Sequence, residues 1–152
     1  MKRASSDLLL LDVNVLLAVA WPNHQFHAAA VAALSSQKRW ATCALTQLGF
    51  IRLSSNPAAV GTAKSPHEAA GLLARLVADS SHTYLDSLPA PAADEWRDAF
   101  GRIVGHRQVT DAYLLRLAAA NHAVLVTFDH RLESVGDRRA RVAFIGRDSV
   151  EE

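Results

Sequence analysis

An uninterrupted apolar run, Leu8 to Leu11, stops abruptly at Asp12. Four apolar residues without alternation are too few for a helix and suit a parallel strand buried on both faces. From Asn14 to Ala20 the spacing turns helical, Trp21-Pro22-Asn23 breaks it, and the Ala-rich stretch His24 to Ser36 predicts a second helix. Trp40 to Ala44 has room for a short strand, and Thr46 to Leu53 predicts a helix ending in the turn signal Ser54-Ser55-Asn56-Pro57. Ser65-Pro66-His67-Glu68 has the form of a helix start, with a hydroxyl cap, a proline first and an acid third, and that helix is expected to reach about Asp79. His82 to Leu85 predicts a third strand, Leu88-Pro89-Ala90-Pro91 a linker, and the stretch from about Ala93 to Ile103 another helix. Thr110 precedes a strongly helical segment, Asp111 to Asn121; Ala123 to Phe128 is a second apolar run closed by an acid, Asp129; Arg141 to Ile145 supplies a last short strand.

Strands alternating with helices predict an α/β fold with a parallel sheet covered on both faces. A chain of 152 residues, half of them apolar, supports one core, so a single domain over residues 1–152 is expected. Lys plus Arg (16) and Asp plus Glu (15) nearly cancel, so any surface for phosphate must be local. The lone Cys43 excludes an internal disulfide and a thiolate metal site, and fits a reducing cytoplasm. Lys2 and Arg3 before an apolar run superficially resemble a secretion signal, but Asp12 and Asn14 interrupt it, so a buried strand and no membrane span are expected.

In an open parallel sheet, ligands bind beyond the carboxyl ends of the strands, where strand order reverses. Asp12 and Asp129 end strands at that edge, and Asp111 lies in the first turn of a helix whose N-terminus points the same way. Two like charges about 5 Å apart repel by roughly 3 kcal/mol at an effective dielectric near 20, so converging carboxylates call for a cation. Oxygen donors without Cys or a His pair select Mg²⁺ or Mn²⁺. Each acid also has a duller role open to it: Asp12 as a helix cap, Asp111 as a favourable charge at a helix N-terminus, Asp129 as a turn residue. The combination favours the metal site. On the residues alone Asp86, after the strand His82 to Leu85, is an equal candidate.

The stretches LLDVNVLLAVAWPNHQFHAAA, ATCALTQLGFIRLSSNP and VTDAYLLRLAAANHAVLVTFD, in this order over most of the chain, resemble the PIN-domain family and, within it, the VapC-type toxins of bacterial toxin–antitoxin pairs. The resemblance implies a three-layer α/β/α sandwich with a short parallel β-sheet that binds Mg²⁺ or Mn²⁺ and cuts single-stranded RNA, with growth control as its role. It implies that Asp12, Asp111 and Asp129 are the metal-site acids, that Asn14 and Thr127 orient ligands and water, and it sets Asp86 aside. It implies hydrolysis by a metal-activated water, leaving 5′-phosphate and 3′-hydroxyl ends. It also implies a homodimer and a small antitoxin whose C-terminal part occupies the nuclease groove. One catalytic position departs from the family pattern: Gln47 stands where many members carry Glu, and it brings neither negative charge nor a titratable proton. One well-held ion is therefore expected, with any second brought by substrate, and Asp98 or Glu95 as compensating acids.

Arg102, His106, Arg107, Arg116 and Arg131 surround the proposed site, and Arg107, Arg116 and Arg131 are expected to contact RNA phosphate through their planar forks, unless they simply form a solvated face. Arg116 can instead pair with a metal-site acid. His24 and His27 lack further metal ligands, and Trp21, Phe26, Trp40 and Phe50, set among aliphatic residues, are expected in the core or a dimer interface. Two rival readings are a receiver-like Mg²⁺-binding regulatory module, which wants a Lys at a late strand end where this chain has only Lys2, Lys38 and Lys64, and a PIN-fold RNA- or antitoxin-binding protein with weak catalysis.

Overall fold

The computed structural model describes residues 7–35, 39–134 and 140–145. Among them β1 (Leu8–Leu11), β2 (Trp40–Thr42), β3 (His82–Tyr84), β4 (Ala123–Thr127) and β5 (Arg141–Phe144) form one parallel sheet in the order β3-β2-β1-β4-β5. The chain winds outward from β1 to β3 and then returns to lay β4 against the other side of β1. Strand order therefore reverses between β1 and β4, the pair whose carboxyl ends carry Asp12 and Asp129.

The leucines of β1 all lie in the core because the sheet is covered twice. Leu8 and Leu10 face a cluster built with Leu114, Leu117 and Ala118 of α7 (Val109–Ala120). Leu9 and Leu11 face the other way, toward Val15 to Ala18 of α1 (Val13–Ala20), Phe50 of α3 (Ala44–Ser54) and Leu73 of α5 (Pro66–Val77). Period-two alternation thus survives inside a continuous apolar run, and the three layers follow from it. β1 and β4 pair from Leu8↔Ala123 to Leu11↔Val126, and the ladder extends one step further through the 2.9 Å bond from Asp12 N to Val126 O. The Asp12 backbone is therefore set by the sheet itself.

The Ser65–Glu68 capping box closes as expected, with Ser65 Oγ accepting from Glu68 N at 3.1 Å. Other boundaries differ from the sequence reading for local reasons. The second helix, α2 (His27–Leu34), starts three residues later than predicted, because Phe26 N bonds His24 Nδ1 at 3.0 Å and both rings pack against Phe128. Asn56-Pro57, read as a turn, caps and opens a short helix, α4 (Pro57–Val60), through Asn56 Oδ1 and Ala58 N. The helix expected from Ala93 to Ile103 is replaced by a 3₁₀ turn (Asp94–Trp96) and α6 (Arg97–Gly101). There Trp96 is pulled into the core between Phe100 and Tyr113, with its indole N–H on Pro89 O. Short 3₁₀ turns at His106–Gln108 and His130–Ser134 were not anticipated. Trp40 and Phe50 are buried as expected, while Trp21 is half-buried with its indole N–H on Ser54 Oγ. Among the described residues no helix is long and apolar enough to cross a membrane.

α3 crosses α1 at Gly49, where a Cβ would stand 2.7 Å from Cγ2 of Val13, a stiff β-branched side chain directly after Asp12. Gly49→Ala is therefore expected to destabilise by about 1–3 kcal/mol despite its better helix propensity, because overpacking outweighs that gain. Thermal denaturation checks this, and Val13→Ala in the same chain should restore most of the loss.

Candidate functional site

Asp12 caps α1, its Oδ1 accepting from Val13 N at 2.7 Å, and that same geometry frees Oδ2 to accept the Thr127 hydroxyl at 2.8 Å. The cap and the candidate site are one arrangement. Thr127 is wholly buried at the end of β4, and its oxygen also accepts the Asp129 N–H at 3.0 Å. One hydroxyl thus ties the two strand-end acids together. Burial pushes the Asp12 carboxyl above its ordinary range, the bonds from Thr127 and Val13 pull it back, and the Asp129 charge adds to the rise.

Asp111 is the third residue of α7, which runs into β4 and so begins at this same edge. Burial, and then the charges of Asp12 and Asp129, push it up to about 6, while Arg131 opposes them. Acids separated by some hundred positions of chain therefore act on one another. Asp129 moves the opposite way, because the Arg131 fork holds it: Nε reaches Oδ1 at 2.9 Å and Nη2 reaches Oδ2 at 2.8 Å, with the Arg131 backbone N–H on Oδ1 at 3.0 Å.

Among the described residues no three His, Cys, Asp or Glu side chains stand close enough together to hold one metal ion directly. The donor set nonetheless fits a hard cation of the Mg²⁺ type, which takes one or two carboxylates and keeps several waters. Asp12 and Asp111 are both shifted up by burial and like charge, the stress that a cation relieves. Cys43 is buried in the core and offers no thiolate ligand.

Asn14 is exposed in the first turn of α1. Gln47 is half-buried one turn into α3, and its Nε2 donates to Thr42 Oγ1 at 3.0 Å. Thr42 in turn lies 2.7 Å from Nε2 of His82, whose pKa burial lowers. A glutamate could not make that donation, so Gln47 is bound into β2 and β3 by its nitrogen and keeps its carbonyl oxygen for other use. This support behind Gln47 was invisible in the sequence, because it depends on the pairing of Thr42 with Tyr84 that brings His82 alongside β2.

Glu95 and Asp98 are exposed on either side of the buried Trp96, and among the described residues the charges that shift Asp111 are Asp12, Asp129 and Arg131. Asp86 follows the edge strand β3, and its charge is felt by Tyr113, not by these acids. Arg116 lies over the Trp96 ring at 5.4 Å and makes no acid pair among the described residues. Arg102 and His106 are exposed, and the side chain of Arg107 lies outside the described part. His27 Nδ1 sits 2.7 Å from Ala18 O and His24 Nδ1 accepts from Phe26, so both are held by backbone groups.

The PIN domain pattern matches residues 9–138. Ribonuclease VapC39 of Mycobacterium tuberculosis is 42% identical over 129 residues, covering 81% of this chain and 89% of that protein. Ribonuclease VapC38 of the same organism is 38% identical over 136 residues, covering 88% and 94%. Among solved structures, VapC20 of M. tuberculosis, described as a sarcin-ricin loop cleaving toxin, superposes with a TM-score of 0.58 at 16% identity over 88% of this chain and 98% of that one. VapBC2 of Rickettsia felis, solved with a DNA fragment from its promoter, gives a TM-score of 0.58 at 12% identity over 91% and 99%. At those identities the structures show the shared fold.

The Asp111 shift carries a pH signature in metal-free protein. Its folded pKa of about 6 lies above its ordinary 3.8, so the folded state holds the proton more tightly, and stability falls as pH rises between these values. Asp111→Asn removes that fall. Between about pH 4.5 and about pH 7.5 in chelator, the variant is expected to gain on the order of 1 kcal/mol over the parent, discounted for partial exposure. Denaturant titrations at the two pH values check it, and an advantage that shrinks with rising pH contradicts the account.

Proposed function

The chain belongs to the PIN-domain family, among its VapC members, and from that premise we propose that it is the ribonuclease toxin of a toxin–antitoxin pair, a Mg²⁺- or Mn²⁺-dependent endoribonuclease of the cytoplasm. The observation that carries this reading is the mutual action of Asp12, Asp111 and Asp129 at the point where strand order reverses. These acids would hold the ion, and when bound it would supply a nucleophilic water at neutral pH and neutralise charge on the phosphoryl group. Thr127 fixes the rotamer of Asp12 and the backbone of Asp129. Asp111 keeps its proton up to about pH 6 in metal-free protein, so cation affinity should rise with pH through that range. Gln47 adds no charge, which favours one ion held by the protein and a second, if used, carried by the substrate. Asn14 stands beside the Asp12 cap as a polar group for water, and Arg131, with Arg107 and Arg116, meets RNA phosphate in single-stranded regions.

A cognate antitoxin and a second copy of the chain are the proposed partners. Leu48 on α3 (66% exposed) and Val104 (97% exposed) are apolar side chains that a partner would cover. A second reading, a binding protein with little catalysis, is favoured by the commitment of Gln47 to Thr42 in place of a carboxylate.

Purified protein freed of any partner should cleave total RNA with Mn²⁺ or Mg²⁺ and not in chelator. Asp12→Asn should lower the rate by roughly a hundredfold or more, as loss of a group that stabilises transition-state charge does, and should abolish the rise in melting temperature that Mn²⁺ gives the parent. Thr127→Val should weaken metal affinity about tenfold or more through its effect on the acids it orients. Cleavage that persists in chelator or in Asp12→Asn rules out the mechanism, while Mn²⁺ binding without cleavage selects the second reading.

A further inference from the structure

Arg131 stands two residues beyond Asp129, second in the short 3₁₀ turn His130–Ser134 that follows β4. Its guanidinium engages both oxygens of the Asp129 carboxylate, at 2.9 and 2.8 Å, and its charge also acts on Asp111. Its side chain is 73% exposed against 25% for Asp129, so the fork lies on the solvent side of the acid. The fork and the Arg131 backbone N–H together occupy three of the roughly four lone pairs of this carboxylate, so a divalent ion that uses both oxygens competes with the fork.

We propose that Arg131 is a tethered counter-ion: it neutralises Asp129 while the metal is absent, yields the carboxylate when a divalent cation enters, and is then released toward solvent to bind the RNA phosphate. The inference rests on the metal-site reading above. An exposed ion pair contributes little net stability, so the exchange is cheap, and a dication outcompetes a single positive charge for the acid cluster. The released guanidinium remains tethered to the Asp129 turn, beside the place where a phosphate bound to the ion must lie. Metal occupancy and phosphate binding are thereby coupled, with the ion entering first.

The test is titration calorimetry with Mn²⁺ alone on the parent, Arg131→Gln and Arg131→Lys, with circular dichroism to confirm folding. Removing a competitor should tighten Mn²⁺ binding by about 1.5- to 5-fold in Arg131→Gln, the range of an exposed ion pair. Arg131→Lys, charged but without the fork, should fall between. At saturating Mn²⁺, the KM of Arg131→Gln for an RNA oligonucleotide should rise with a smaller change in kcat. Unchanged or weaker Mn²⁺ binding in Arg131→Gln overturns the proposal and makes Arg131 a support for the Asp129 rotamer. A parent that binds no Mn²⁺ overturns the metal-site reading itself, and this inference with it.

Discussion

Like charge held in place at the edge of a sheet organises this molecule. Asp12 and Asp129 cannot separate, because β1 and β4 are paired along their whole length and one buried hydroxyl, Thr127, spans from the carboxylate of the first to the backbone of the second. Asp111 cannot withdraw either, because α7 is anchored on the sheet by Leu114, Leu117 and Ala118. The apolar layers therefore hold the acids within reach of one another's charge, and burial first, with that repulsion added, raises Asp111 to about 6.

The surroundings handle that charge asymmetrically. Asp129, the most exposed partner of the pair with Thr127, is pulled low by Arg131, whereas Asp12 and Asp111 are pushed high by burial. Gln47 adds no further charge and is fastened through Thr42 to His82, whose pKa burial lowers. Arg131 thus sets a positive charge on the exposed side of Asp129, while Gln47, Thr42 and His82 form an uncharged hydrogen-bonded chain.

Local chemistry written in short stretches was largely legible. LLLL before Asp12 and AVLVT before Phe128-Asp129 are buried strands, Ser65 to Glu68 is a capping box, and Asp111 feels the charges of Asp12 and Asp129. The errors have a common cause in tertiary contacts that override local propensity. Trp96 breaks an expected helix to reach Tyr113, and the His24–Phe26 turn delays another because Phe128 offers its ring.

By itself the sequence determined the alternation of strands and helices, the acids that end the strands and the residue types that select a hard cation, since all three follow from periodicity and donor chemistry along contiguous stretches. Only the tertiary structure decided which groups face one another. It placed β4 beside β1, put the Thr127 hydroxyl between the two acids, engaged Gln47 with Thr42, and turned Arg131 onto Asp129 and Arg116 onto Trp96. Those pairings depend on sheet order and side-chain direction, which no stretch of chain encodes alone.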